Sequence, residues 1–252
     1  MARSRIHLKN KDQIARMRES GRLVADTLDM IEEHVKPGIS TGELDAIAEA
    51  YLRKHGAIPS FKGYHGFTGT LCVAVNDEVV HGIPNGRVLK EGDIIAIDVG
   101  AVLNGWHGDT TRTYAVGTID AEARRLMDVC YASMEAGIEA ARSGAKLTDI
   151  SYAIEQRVVE DGFKVVRNLF GHGIGRQLHE APSLPHYGPA GDGPELRPGL
   201  VITIEPMIVA GSNKVHTLAD GWTIVTDDGS WSAQYEHTIA ITDNGPEILT
   251  LP

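Results

Sequence analysis

The sequence predicts an α+β fold in which helices cover an antiparallel sheet core. Helical stretches and pairs of apolar strands alternate twice along the 252 residues, an order typical of α+β domains. The two halves of the chain also carry matching motifs in the same order. We therefore expect one domain, residues 1–252, built from two pseudo-symmetric halves at about 10–145 and 146–252.

The strongest local signal is a hairpin whose turn is Asn104-Gly105. Asn-Gly between apolar residues is typical of a two-residue β-hairpin turn. Counting back from that turn places Asp98 opposite Thr111, so Asp109 is a diagonal neighbour of Asp98 on the same face. Diagonal neighbours have Cβ atoms within roughly 7–8 Å. Two carboxylates so close resist joint ionisation, and a bound cation removes that conflict.

The same order of motifs occurs twice in the chain. Each half offers a His-x-x-Pro motif, an apolar strand that ends in a carboxylate, and a returning strand that begins with a carboxylate. The matching residues are His81 and His179, Asp98 and Glu205, and Asp109 and Glu236. Three matches in register indicate a duplicated half-domain, with four carboxylates meeting where the halves join.

Capping residues and glycines set the limits of the predicted helices. These run from Asn10 to about residue 35, from Ser40 to Gly56, from Asp120 to Gly144 and from Thr148 to Gly162. Predicted strands cover residues 71–75, 93–99, 109–116, 163–170, 200–209, 222–226 and 236–242. The stretch 60–70, rich in glycine and aromatic residues, is expected to be a loop.

Composition narrows the function classes. The net charge of −10 argues against nucleic acid as the main partner. The two cysteines, Cys72 and Cys130, are too few and too far apart for a disulfide framework or a cysteine zinc site. No apolar run approaches the roughly 20 residues of a membrane span, and no secretory signal follows the basic start. We expect a cytoplasmic protein.

The four carboxylates of the repeat are candidate metal ligands. Each one alone could be a strand-end charge that faces water. Asp98 and Glu205, however, end apolar runs that should be buried, and a buried carboxylate must be paired, protonated or bound to a metal. Together with Asp109 and Glu236, they balance the charge of two divalent cations.

His172 has no counterpart in the first half of the chain. A single histidine is most often structural, but the glycines that flank this one let the backbone approach a ligand. Oxygen donors with one imidazole favour Mn, Fe, Co or Zn over calcium. The HExxH motif of one class of zinc proteases is not present, and the glycine run lacks the spacing and the lysine of a phosphate loop.

His81 and His179 are either turn histidines or functional donors. In the functional interpretation, two imidazoles flank the metals and donate hydrogen bonds to a carbonyl as it becomes a tetrahedral oxyanion. Aromatic residues in a glycine-rich loop more often form a pocket than a core. Those close to these elements in sequence are Tyr64, His65, Phe67 and Trp222.

In their order and spacing, Asp98, Asp109, His172, Glu205 and Glu236 resemble the five metal ligands of the methionine aminopeptidases. The resemblance covers nearly the whole chain and implies the pseudo-two-fold "pita-bread" fold shared with creatinase and prolidase. It implies that Asp98 chelates one metal, that His172 and Glu205 hold the other, and that Asp109 and Glu236 bridge the two. It makes Glu205 the general base.

The resemblance also implies substrate contacts. His81 and His179 would contact the substrate or the intermediate. The pocket for the methionine side chain would include Phe61, Tyr64, His65, Phe67, Cys72 and Trp222. The type 2 enzymes of the family carry a helical insertion in the second half, and the interval from His179 to Glu205 leaves no room for one. The chain therefore resembles the short bacterial form of the type 1 enzymes. Phe61 stands where family members often have cysteine, and Leu178 where they often have phenylalanine.

The function implied is that of a cytoplasmic, dinuclear aminopeptidase. It would remove the initiator methionine from nascent chains, prefer a small second residue and hydrolyse the bond with a hydroxide generated at two divalent ions (Co, Mn, Fe or Zn). The N-terminus of the nascent polypeptide is the expected substrate. We also expect the enzyme to be a monomer and to contact the ribosome.

Three other interpretations compete with this one. X-Pro peptidases usually carry a large extra N-terminal domain, whereas only 80 residues precede His81. A metal-free binding protein on the same fold would not need the five intact ligands. A calcium-stabilised structural protein is disfavoured by His172, because imidazole is a poor ligand for calcium.

Overall fold

The computed structural model describes residues 5–252. Its α-helices are Lys11–Glu32 (α1), Thr41–Lys54 (α2), Ala121–Ala140 (α3) and Leu147–Glu160 (α4). Helices α1 and α2 begin with the predicted capping boxes, Asn10 with Gln13 and Ser40 with Glu43. The side chain of Asp120 caps α3 as expected. The sequence therefore located the start of three helices correctly.

The predicted start of helix α4 at Thr148 is wrong by two residues. Lys146 occupies the capping position, and its N–H donates to Asp149 Oδ2 over 2.8 Å. Thr148 lies inside the first turn, where its hydroxyl donates to the carbonyl oxygen of Asp192 and accepts from the N–H of that residue. The hydroxyl thus fixes a distant loop instead of capping the helix.

The strands form one large sheet and two small ones, and every pairing between them is antiparallel. In chain order they are β1 Ile58–Pro59, β2 Leu71–Val75, β3 Glu78–Val80, β4 Ile94–Leu103, β5 Trp106–Ala115, β6 Lys164–Val165, β7 Phe170–Gly173, β8 Glu180–Pro185, β9 Val201–Ile204, β10 Met207–Val209, β11 Val215–Thr217, β12 Ile224–Thr226, β13 Ser232–Gln234, β14 Glu236–Thr242 and β15 Gly245–Ile248. The large sheet has the order β1-β4-β5-β14-β9-β7-β8, with β2 also paired to β4 and β15 to β14. The small sheets have the orders β13-β10-β6 and β11-β12-β3.

Strand prediction succeeded for the hairpin of β4 and β5 and failed for most short or interrupted strands. The predicted strand 200–209 is split into β9 and β10, because Pro206 lacks an N–H and restricts the residue before it. The predicted strand 163–170 is reduced to β6, with β7 beginning at its last residue. The loop prediction for 60–70 is confirmed, apart from one short 3₁₀ turn at Tyr64–Gly66. Six strands were not predicted: β1, β3, β8, β11, β13 and β15.

The hairpin register is as predicted from the Asn-Gly turn. Asp98 lies opposite Thr111, and Asp109 lies opposite Gly100. The returning strand β5 then pairs with β14, where Glu236 lies opposite Thr111. The two halves of the chain therefore join along β5 and β14, beside the carboxylates.

Each half of the sheet carries its own helix pair. Apolar residues of α1 and α2 pack against β2, β4 and β5, whereas those of α3 and α4 pack against β9 and β14. The carboxylates lie on the opposite face because alternate residues of a strand point to opposite sides. Helix α3 thus packs with the second half of the sheet, and the boundary between the halves at about residue 145 stays a prediction.

Gly21 in helix α1 tests this packing. A Cβ built on Gly21 would lie 2.2 Å from the carbonyl oxygen of Leu249. Alanine normally stabilises a helix interior by about 1 kcal/mol relative to glycine, but here the clash pushes the helix away from the C-terminal segment. We expect Gly21→Ala to lower the free energy of unfolding by about 1–3 kcal/mol, measured by urea denaturation.

The matched control is Gly86→Ala, because nothing lies within 4 Å of a Cβ built on Gly86. Its free energy of unfolding should change by less than about 0.5 kcal/mol. A Gly21→Ala protein as stable as the parent would contradict the close helix–segment contact.

Candidate active site

Five donor side chains come from five neighbouring strands of the large sheet. Asp98 lies on β4, Asp109 on β5, Glu236 at the start of β14, Glu205 directly after β9 and His172 on β7. In the sheet these strands follow one another in the order β4-β5-β14-β9-β7. The topology therefore brings together residues that are far apart in the chain.

The donor atoms converge on one small volume. Nε2 of His172 lies 3.6 Å from Oε1 of Glu205 and 3.9 Å from Oδ2 of Asp109. Donor atoms of Asp109, His172 and Glu236 all lie within 4.8 Å of one another. Oδ1 of Asp98 and Oδ1 of Asp109 are buried and have no hydrogen-bond partner among residues 5–252. Buried oxygens without partners are unusual in native proteins, and a bound cation would satisfy them.

Burial makes these carboxylates hard to ionise. It raises the pKa of Asp98 to about 7 and the pKa of Glu205 to about 8. It also raises the pKa values of Asp109 and Glu236 well above the ordinary range, and the charges of the neighbouring carboxylates raise them further. A divalent cation offsets both burial and repulsion, so the donor set fits a metal centre.

His172 is held as a neutral imidazole with one ring nitrogen facing the carboxylates. Its Nδ1 lies 2.9 Å from the carbonyl oxygen of Gly173, so Nδ1 carries the proton and donates it there. Nε2 is left with a lone pair that faces Glu205 and Asp109. Burial lowers the pKa of His172 to about 3, which keeps the ring neutral. A histidine held by its other nitrogen in this way is the usual form of a ligating imidazole.

Three polar residues that sequence reasoning missed orient the carboxylates. Thr111 donates to Oε2 of Glu236 over 2.8 Å, Thr203 donates to Oε1 of Glu205 over 2.7 Å, and Gln234 donates to Oε2 of Glu205 over 3.5 Å. Each of the three lies two residues from a predicted ligand. The two-residue period of strands could have revealed them, because such residues share a face.

A cavity of about 210 Å³ lies over the donors. Five of the predicted pocket residues line it, namely Phe61, Tyr64, Phe67, Cys72 and Trp222. His65 is exposed and is not among the lining residues. The cavity wall also includes Val80, Leu169, Phe170, Leu178 and Met207. Apart from Leu178, these lining residues were not predicted from the sequence, because they adjoin motif residues without forming a pattern.

The two histidines of the His-x-x-Pro motifs also line the cavity. Nδ1 of His179 lies 2.7 Å from the Tyr64 hydroxyl, and its ring centroid lies 4.3 Å from that of His172. His81 has a φ of 60°, in the left-handed region that residues other than glycine rarely adopt. Such strain is concentrated at functional sites.

The comparisons with known proteins identify the family. Residues 15–243 match metallopeptidase family M24. The chain is 55% identical to methionine aminopeptidase 1 of Bacillus subtilis, over 96% of this chain and 98% of that one. The chain belongs to the methionine aminopeptidases of family M24. The predicted family is thereby confirmed.

Solved structures agree with this family assignment. The crystal structure of methionine aminopeptidase from Rickettsia prowazekii matches with a TM-score of 0.97 at 45% identity, over 98% of this chain and 100% of that one. The prolidase from Pyrococcus furiosus matches with a TM-score of 0.80 at 24% identity, over 97% of this chain and 65% of that one. The second likeness shows the shared fold alone, and the predicted pita-bread fold is confirmed.

Membership of this metallopeptidase family implies divalent metal ions, and the buried donors fit them. No helix in the described part of the chain has the length and apolarity to cross a membrane.

The raised pKa values of this methionine aminopeptidase site predict how metal binding depends on pH. Asp98 and Glu205 have ordinary pKa values of 3.8 and 4.5 that burial raises to about 7 and about 8. In the folded protein from which a chelator has removed the metal, both carboxyls are protonated at pH 6. Their ionisation opposes folding as the pH rises through 7 to 8. A cation binds the ionised form. The rise in Tm on adding saturating Mn²⁺ should therefore be larger at pH 8.5 than at pH 6.

The measurement is differential scanning fluorimetry with chelator and with Mn²⁺ at each pH. Sodium chloride at matched ionic strength is the control, since it screens exposed charges without entering the site. An equal rise in Tm at pH 6 and at pH 8.5 would contradict the link between these carboxylates and the metal.

Proposed function

We propose that this chain removes N-terminal methionine from polypeptides by hydrolysing their first peptide bond. The supporting observation is a set of five converging donors, of which Asp109 and Glu236 are buried and the other three are largely buried, beneath an apolar cavity of about 210 Å³. A hydrolytic metal centre is thereby joined to a pocket for one apolar side chain. The methionine aminopeptidase relatives, 45–55% identical over nearly the whole chain, support the same activity.

In this proposal the donors are divided between two divalent ions. Asp98 would hold one ion, His172 and Glu205 would hold the other, and Asp109 and Glu236 would contribute to both. When bound, such ions supply Lewis acidity and lower the pKa of water toward 7. The mixture of oxygen donors with one imidazole favours Co, Mn, Fe or Zn.

The proton and the developing negative charge are handled by side chains of the cavity wall. We assign Glu205 the role of general base, because its Oε2 has only the long contact to Gln234 while Oε1 is fixed by Thr203. His81 and His179 donate hydrogen bonds to the substrate carbonyl oxygen as its carbon becomes tetrahedral and the oxygen becomes negatively charged. We assign the Tyr64 hydroxyl as the donor to Nδ1 of His179, 2.7 Å away, so that the ring proton is on Nε2 for this purpose.

The apolar part of the cavity accepts the methionine side chain. Phe67 and Trp222 meet edge to face with ring centroids 5.1 Å apart, and Phe61 and Cys72 complete this wall. Aromatic rings contact a polarizable thioether favourably. Leu178, buried at 3% exposure, keeps the wall apolar where family members often carry phenylalanine.

The remaining features follow from the type 1 family resemblance. They are a preference for a small second residue, a nascent polypeptide as substrate, a contact with the ribosome, a monomeric enzyme and a cytoplasmic location. His65, although exposed, retains its proposed substrate contact at the rim, because its ring packs on Tyr64 with centroids 4.4 Å apart.

His81→Ala tests the oxyanion role. We expect kcat to fall by roughly 10²–10⁴-fold, as for loss of a positioned donor. The metal content, measured by atomic emission, should not change, because His81 is not a proposed ligand. His55→Ala is the matched control, since His55 is an exposed histidine at the end of helix α2. A His81→Ala enzyme with the parental kcat would make His81 a turn residue.

A peptide panel tests the substrate. Peptides that begin with Met-Ala, formyl-Met-Ala, Met-Leu and Ala-Pro are incubated with metal-loaded enzyme and followed by mass spectrometry. We expect cleavage of Met-Ala alone, because formylation removes the amine lone pair that would bind a metal, and because leucine is too large for the second site. Norleucine in place of methionine should reduce the rate without abolishing it, since an apolar pocket discriminates by about 1–3 kcal/mol per group.

Two outcomes of this panel would change the proposal. Efficient cleavage of the formylated peptide would remove the requirement for a free amine. Preference for Ala-Pro would favour an X-Pro peptidase, the alternative suggested by the fold shared with prolidase.

A further inference from the structure

His186 lies directly behind the proposed metal ligand Glu205. It follows strand β8 and is buried, with 1% of its surface exposed. The backbone N–H of Glu205 donates to Nε2 of His186 over 3.2 Å. A backbone N–H is always a donor, so Nε2 must be the unprotonated nitrogen of the ring and Nδ1 must carry the proton. His186 is outside the cavity and takes no part in the chemistry proposed above.

The need for this contact arises from the break between β9 and β10. Strand β9 ends at Ile204, and Pro206 prevents the strand from continuing. Strands β7 and β9 pair only at Gly173 and Ile202. The N–H of Glu205 therefore has no ladder partner on β7, and a buried N–H without a partner is costly. The imidazole supplies the missing acceptor.

Gly171 makes room for the imidazole. A Cβ built on Gly171 would lie 3.2 Å from Nε2 of His186 and 2.6 Å from the carbonyl oxygen of Thr203. The next residue, His172, donates its backbone N–H to Oγ1 of Thr203 over 2.9 Å. Between β7 and β9, the main chains of the proposed ligands His172 and Glu205 are thus held by side chains. On the outer sides, β7 pairs with β8 and β9 pairs with β14 through ladders.

We propose that His186 is a positioning residue that fixes the main chain of Glu205 and thereby sets the affinity of the metal ion shared by His172 and Glu205. The proposal rests on the ligand roles given above. The ion chelated by Asp98 depends on strand β4, which pairs with β2 and β5 through unbroken ladders. Loss of His186 should therefore weaken one of the two metal sites and spare the other.

Three variants separate the acceptor from simple packing. His186→Leu removes the acceptor and keeps an apolar side chain of similar reach. His186→Gln retains an oxygen acceptor near the place of Nε2. Tyr187→Phe is the matched control: it removes the neighbouring hydroxyl, whose hydrogen bond to the carbonyl oxygen of Arg167 lies outside the donor cluster.

Mn²⁺ binding is measured on each full-length protein by isothermal titration, with circular dichroism and Tm as checks on folding. For His186→Leu we expect one of the two equivalents to bind about 10–100-fold more weakly, the usual effect of losing a group that orients a ligand. The other equivalent should change by less than about threefold. His186→Gln should recover most of the loss, and Tyr187→Phe should bind like the parent.

Each other outcome has a definite meaning. Equal weakening in His186→Leu and His186→Gln would overturn the proposal, because the acceptor would then have no role. Parental affinity for both equivalents in folded His186→Leu would also overturn it. If His186→Leu does not fold, His186→Phe replaces it as the variant that lacks an acceptor. Parental Mn²⁺ affinity in His186→Gln together with weakened Mn²⁺ affinity in His186→Phe supports the proposal. Equal Mn²⁺ affinities of these two variants overturn it. A parent protein that binds no Mn²⁺ would instead refute the proposed metal centre.

Discussion

The pairing of β5 with β14 is the contact on which the site depends. It is short, since the paired positions are Glu236 with Thr111 and His237 with Thr110. Side chains reinforce it across the join: Thr110 donates to the carbonyl oxygen of Glu236 over 2.6 Å, and Thr238 donates to that of Asp109 over 2.8 Å. Buried hydrogen bonds of this kind are costly to break. They hold Asp109 and Glu236, which come from different halves, within the reach of one ion.

Burying four carboxylates at this join opposes folding, and the surrounding structure offsets the cost only in part. Thr111, Thr203 and Gln234 donate to two of the four side chains, yet Oδ1 of Asp98 and Oδ1 of Asp109 have no donor among the described residues. A core built for stability alone would fill this volume with apolar side chains. The arrangement is therefore a functional one, in which divalent cations supply the missing stabilisation.

The two-residue period of strands and the duplicated order of motifs made much of the fold and the site predictable from the sequence. The Asn104-Gly105 turn fixed the register of Asp98 and Asp109, and the repeated order of motifs located Glu205 and Glu236. Capping residues gave the start of three helices. The remainder depended on contacts between distant segments. Neither the place of Thr148 against Asp192 nor that of His186 behind Glu205 has a local signal, because each is set by a loop that returns from elsewhere in the chain. His65 was included in the predicted pocket because of its aromatic neighbours, although its side chain is exposed.

The two halves have diverged at the strands that flank their carboxylates. In the first half, β2 pairs with β4 over five residues and places Cys72 opposite Asp98, so an apolar thiol becomes part of the pocket wall. In the second half, β7 pairs with β9 at a single position, and β7 itself carries His172. A full ladder there would leave no space for the Thr203 hydroxyl and the His186 ring, which orient Glu205 and the backbone of His172. The first half thus adds the Cys72 thiol to the pocket wall and the second half adds the imidazole donor, so the two halves contribute different chemistry to one cavity.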